Sequence, residues 1–114
     1  MPMAGEIVFA VYKPREGKEM ELKMALKRHV PTLRQQGYVT LRPPLFLKSM
    51  EDGTYIEIFQ WGSLDAMKQA HDDEKVREVW SAIEAAAEIR TLADLEEART
   101  PFPSFLPVQG VVCN

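Results

Sequence analysis

Apolar residues recur at two different spacings along this chain, and the switches between them outline its elements. Glu6 to Lys13 holds an unbroken apolar run, Ile7 to Tyr12, rich in β-branched and aromatic residues; Pro14 and Gly17 punctuate it, which predicts a strand. From about Gly17 to Gln36 the spacing changes to three and four. Leu22, Leu26 with Ala25, Val30 and Leu33 form the stripe of an amphipathic helix, and Gly37 is placed to end it. Pro31 falls inside that stripe. It has no N–H to bond back to the carbonyl of Lys27, so a kink or two shorter helices are expected there.

Tyr38 to Met50 returns to strand character, interrupted by Pro43-Pro44, which marks an edge, a bulge or a break. Glu51-Asp52-Gly53 is a turn signal between two apolar runs and predicts a hairpin with the next strand, Thr54 to Trp61. That strand alternates cleanly: Tyr55, Glu57, Phe59 and Trp61 share one face, Ile56, Ile58 and Gln60 the other. Ser63 can cap a short helix over Leu64 to His71, and Asp72 or Asp73 a second over about Glu74 to Ala87, whose stripe is Val76, Val79, Trp80, Ile83 and Ala87. A fourth strand is expected within Glu88 to Leu95. From Thr100, Pro101, Pro103 and Pro107 alternate with Phe102, Phe105 and Leu106 in an extended apolar arm.

The resulting order, strand, helix, strand, strand, helix, strand, is the split βαβ plan of a ferredoxin-like βαββαβ protomer: an α+β fold with helices on one face of an antiparallel sheet. The first strand is apolar on both sides, Ile7, Phe9 and Val11 opposite Val8, Ala10 and Tyr12, and the third nearly so. Two helical layers cover only one face. A second copy docking on the other, a homodimer, is therefore expected, with the arm free to reach across.

Composition narrows the class. The 114 residues suit a single domain, 1–114, with 100–114 as its arm. Fourteen basic against seventeen acidic residues, net charge −3, do not make the clustered cation that nucleic acid requires. The longest apolar run is far too short for a bilayer, and no secretory leader pattern opens the chain, so no membrane partner and a cytoplasmic location are expected. Cys113 stands alone, which leaves neither an internal disulfide framework nor a thiolate metal site. Phosphate loops, nucleophile elbows and metal clusters are missing as motifs, so no cofactor is expected.

The run Asp52-Gly53-Thr54-Tyr55 through Glu57-Ile58-Phe59-Gln60-Trp61, then Ser63, Ala66, Ala70-His71 and Val79-Trp80, resembles the antibiotic biosynthesis monooxygenase-like family of the dimeric α+β barrel superfamily. The resemblance covers roughly Glu6 to Leu95. It implies a protomer whose sheet joins a partner's into a shared barrel, with ligands between sheet and helices. Members include cofactor-independent oxygenases of aromatic polyketides, heme-degrading enzymes and small proteins of unknown function. The heme-degrading members use a first-strand Asn and a His beside the late-helix Trp. Here the only Asn is Asn114, and Trp80 has no such His after it, so heme degradation is not expected.

Within that frame, the candidate chemistry is Glu57 and His71 as acid–base groups. Glu57 is a carboxylate on an otherwise aromatic strand face. It is either a pocket anchor or base, or half of a structural pair with Arg42, or a solvated rim residue. His71 follows Leu64 and Met67 at helical spacing, which predicts that it faces the sheet; its plainer role is to close the short helix. His29, Arg42, Tyr55, Phe59, Trp61 and Trp80 are candidate ligand-lining residues, against a simpler role as core or, for Arg42, as part of an unpairable edge. His29 and His71 would flank the ligand from two helices. No third residue completes a metal site with them beyond Glu57. The expected activity is binding of a hydrophobic or aromatic small molecule. A cofactor-independent monooxygenase and a non-catalytic dimerisation or stress-response module are the alternatives.

Overall fold

The computed structural model describes residues 5–111. Five strands, β1 (Ile7–Pro14), β2 (Leu45–Lys48), β3 (Tyr55–Gln60), β4 (Ala87–Arg90) and β5 (Leu106–Pro107), form one antiparallel sheet in the order β4-β1-β3-β2-β5. Three helices, α1 (Glu19–Gln35), α2 (Leu64–His71) and α3 (Glu74–Ala86), complete an α+β fold compatible with a ferredoxin-like plan. Among the described residues no helix is long and apolar enough to cross a membrane. Cys113 and Asn114 lie outside the described residues.

The register explains the layers. Val8, Ala10 and Tyr12 of β1 sit beside Phe59, Glu57 and Tyr55 of β3, and all six side chains point to the helices. Ile7, Phe9 and Val11 pair with Gln60, Ile58 and Ile56 on the opposite face. On the helix side, Leu22, Leu26 and Leu33 of α1 and Val76, Val79 and Ile83 of α3 pack onto Tyr12, Tyr55, Phe59 and Trp61 in two adjoining clusters. These leucines have no exposed surface. Fully burying one is worth about 1.5–3 kcal/mol, so the α1 stripe is a principal source of stability.

Helix α1 runs through Pro31 as one helix, which overturns the alternative of two shorter ones. Pro31 faces solvent, while the buried stripe opposite holds both halves on the sheet. Gly37 follows the helix end and its cap Gln36, and its φ of 80° suits a residue without Cβ. The expected strand from Tyr38 to Met50 keeps only β2 and a bridge between Val39 and Trp61. Pro43 and Pro44 offer no N–H to a ladder, and Leu41 just before them is left exposed. Strand β4 stops at Arg90, because Thr91 and Asp94 close a capped turn: the backbone N–H of Thr91 donates to Asp94 Oδ2 at 2.9 Å, and its hydroxyl to the same oxygen at 3.1 Å. Two 3-10 turns follow, Leu92–Asp94 and Glu96–Arg99.

The arm docks on its own chain. Its β5 pairs with β2, Val108 and Val111 enter the helix-side core, and Phe105 packs with Leu95 against Val11 and Ile56 on the opposite face. Glu97 accepts from the Ser49 hydroxyl at 2.8 Å and anchors the turns to the β2–β3 hairpin. Half of the face opposite the helices is thereby covered. Ile7, Phe9 and Leu45, on the other half, stay about half exposed.

Candidate functional site

Glu57 is fully buried, with 0% of its surface exposed. The alternation of β3 puts it on the helix side, in the middle of the sheet, opposite Ala10. Three elements supply its surroundings. From β1, the Tyr12 hydroxyl donates to Glu57 Oε1 at 2.7 Å. From α1, His29 Nδ1 lies 2.9 Å from both carboxylate oxygens. From α3, Trp80 Nε1 donates to His29 Nε2 at 2.8 Å. His29 lies between Leu26 and Val30 on the buried stripe, and its ring meets Phe59 edge-on at 5.5 Å.

Donor and acceptor arithmetic sets the protonation of this chain of four. An indole N–H only donates, so His29 Nε2 must present its lone pair. The proton then sits on Nδ1 and donates to Glu57. The imidazole is neutral, and its approach to Glu57 is a hydrogen bond rather than an ion pair, despite the 2.9 Å separation. The carboxylate is held by two neutral donors and no cation. Burial, then the Glu57 charge, then the hydrogen bond to it, push the Tyr12 hydroxyl well above its ordinary value, so Tyr12 is a firm donor.

Beside this network lies a cavity of about 240 Å³ between the sheet and the helices. Ala10 and Tyr12 of β1, Ile89 of β4, and Trp80, Ile83 and Glu84 of α3 form its walls, with His71 at its side. Tyr12 and Trp80 are therefore at once walls of the cavity and the two ends of the buried hydrogen-bond chain. A larger furrow of about 560 Å³ runs over the outer surface of α1 and α3, between Met24, Arg28 and the alanines 82, 85 and 86. No part of the Glu57 network opens into it, so the smaller cavity is the better candidate site.

The candidate residues fall into three groups. Glu57, His29 and Trp80 are brought together. His71 is placed next to them, but not as its spacing suggested. Ala66 and Ala70 are the buried residues of α2, Leu64 and His71 are exposed, and the His71 ring rests on Trp80 at 4.9 Å. Trp80 thus lies against both histidine rings, at 6.5 Å from His29. The eight-residue helix presents two plausible stripes, and the small alanines win because they allow closer approach to the core.

Tyr55, Phe59, Trp61 and Arg42 do not line the cavity. Phe59 and Trp61 pack edge to face at 5.3 Å within the core. Tyr55 donates to Glu19 Oε2 at 2.5 Å, and Lys48 reaches the same oxygen at 2.7 Å. Burial and that bond raise the Tyr55 hydroxyl, and the Lys48 and Tyr55 bonds lower the Glu19 carboxyl. Arg42 is not the partner of Glu57. It is exposed and donates to Gln60 Oε1 at 3.0 Å, three residues along and on the opposite face. Residue spacing missed Tyr12 as the donor to Glu57, and Ile83 and Ile89 as cavity walls. The alternation Ala10–Tyr12 held the signal, but only the register with β3 places it beside Glu57. Among the described residues no three His, Cys, Asp or Glu side chains come together as a metal site.

No protein-family model, no curated protein and no solved structure matches the chain.

Proposed function

We propose that this protein binds a small hydrophobic or aromatic molecule in the cavity between its sheet and helices, and that it does so as a homodimer of ferredoxin-like βαββαβ protomers joined as a dimeric α+β barrel. The observation that carries the reading is the pairing of an apolar cavity with a buried polar chain whose two ends, Tyr12 and Trp80, form its walls. Ligand sites combine an apolar lining with a few fixed polar groups, and usual volumes run from about 300 to 1,000 Å³. At about 240 Å³ this cavity falls just below that range, which suits a ligand of one or two rings. The resemblance in sequence to the antibiotic biosynthesis monooxygenase-like family points the same way. The half-exposed Ile7, Phe9 and Leu45 support the second copy, since contiguous apolar surface on a sheet face marks a docking site.

Native mass spectrometry of the purified chain tests both parts at once. A dimer mass with a retained aromatic molecule is expected. A monomer at micromolar concentration removes the dimer; failure of every aromatic compound in a small library to shift the Trp80 fluorescence removes the site. Turnover of a bound aromatic with oxygen uptake would turn the binding reading into the oxygenase one.

A further inference from the structure

Of the four members of the buried chain, Glu57, His29 and Tyr12 are buried, while Trp80 is only partly so and faces the cavity. Its indole N–H satisfies a lone pair on His29 that would otherwise be an unmet acceptor in the interior. Glu57 fixes that lone pair in place, because its two oxygens hold the proton of His29 on Nδ1. The protein therefore carries a pre-set acceptor next to a cavity, covered by one aromatic donor of its own. Trp80 makes this one hydrogen bond through its indole, packs at the edge of both core clusters, and has the exposed His71 ring on its other side, which makes it the member of the chain nearest solvent.

We infer that the cavity selects a planar aromatic molecule bearing an N–H or O–H on its edge, which takes the place of the Trp80 indole on Nε2 of His29. The inference rests on the proposed small-molecule site and names the chemistry that site prefers. The side chain of Trp80 serves as a stand-in for the ligand: a bicyclic ring with one edge donor. Removing it without replacement leaves a buried acceptor unpaired, which costs free energy, so a ring lacking a donor gains only contact area. A ring with a donor restores the bond and lets Trp80 turn toward His71. Trp80 is then the specificity-determining residue and His29 the acceptor, with Glu57 positioning it.

The test compares indole with benzofuran, isosteres that differ in the edge N–H, by calorimetric titration of the wild-type chain. The Trp80 indole N–H is followed by proton–nitrogen NMR. The chain has two tryptophans, and the signal lost in Trp80→Phe identifies it. Indole is expected to bind about three- to tenfold tighter, the worth of one net hydrogen bond, and to make the Trp80 N–H exchange freely with water. In Trp80→Phe, where the internal donor is gone, the ratio of indole to benzofuran affinity rises further. Equal affinities overturn the inference and leave the site. A preference for indole with the Trp80 N–H still protected also overturns it, since the donor is then meeting Glu84 or His71. Binding of neither compound at millimolar concentration defeats the site itself. Should Trp80→Phe not fold, the wild-type ratio, together with whether either tryptophan N–H loses protection, decides the outcome.

Discussion

The two faces of the sheet are drawn from the same strands and similar residue types, yet they are closed in different ways. On the helix side, α1 and α3 bury Tyr12, Tyr55 and Phe59, and the enclosure is tight enough to hold a carboxylate with no exposed surface. On the other side Leu95 and Phe105 cover Val11 and Ile56, and the cover ends there, leaving Ile7, Phe9 and Leu45 half exposed. The difference teaches where chemistry can be built. A buried Glu57 needs donors aimed from several directions, and only the helix side has a strand and a helix close enough to provide Tyr12 and His29, with Trp80 behind them. The open side has apolar area and no such enclosure, which suits contact with another surface.

That contrast is easiest to break from the closed side. Leu26→Ala should destabilise the chain by about 2–5 kcal/mol, the range for a fully buried leucine, as read from urea unfolding. A loss below about 1 kcal/mol would mean that α1 does not cover the sheet through Leu26. Glu57→Gln should follow at about 1–3 kcal/mol, because its amide turns an N–H toward Tyr12 or His29. The proposed dimer, if light scattering finds it in the wild type, should survive this substitution; its loss would place Glu57 at the protomer interface instead.

Tyr12→Phe sharpens the electrostatic side of the comparison. It should cost about 1 kcal/mol at neutral pH, one buried hydrogen bond. The raised Tyr12 hydroxyl means that the folded state favours the protonated phenol. That contribution is present in full below the unfolded value of about 10, and it is lost as pH rises through the higher folded value. Wild-type stability should therefore fall above about pH 10, and Tyr12→Phe should fall less steeply. Some slope will remain, because Tyr55 is raised in the same direction. Equal slopes in alkaline unfolding curves would show that Tyr12 is not buried beside the carboxylate.

The smallest expected effect on the chain's own stability comes from the open face. Phe9→Ser should change it by no more than about 0.5 kcal/mol, as for most exposed sites, while light scattering shows the proposed dimer weakened relative to the wild type. A large loss of stability would mean that the open half is covered within one chain after all.

Much of this division was legible in residue spacing. The alternation of Tyr55, Glu57 and Phe59 placed Glu57 on one face with aromatics, and the stripe from Leu22 to Leu33 put His29 beside the core. Ser63 caps α2 by accepting from the Ala66 N–H at 3.0 Å, and Asp73 caps α3, as their residue types suggested. Spacing misled where an element was short or a neighbour was needed. The two apolar stripes of α2 differ by a fraction of a turn, and of the one ending at His71 only Met67 meets the core, while Leu64 and His71 stay outside. Arg42 shares a hairpin with Glu57, but the break at Pro43-Pro44 leaves it with Gln60.

What the sequence determined by itself is therefore periodic: roughly where most strands and helices lie, and which residues of one element share a face, Glu57 with Tyr55, Phe59 and Trp61 among them. Periodicity is a local property, set by the two-residue repeat of a strand and the three-to-four-residue repeat of a helix. The partners of Glu57, the cover that Trp80 places on His29, the cavity between Tyr12 and Ile83, and the folding of the arm onto its own sheet were decided only by the tertiary structure. Each depends on register and layer contacts between segments distant in the chain, such as His29 with Glu57, 28 residues away, and with Trp80, 51 residues away. A repeat within one segment carries no information about the offset of another; the fit of side chains across the core selects it.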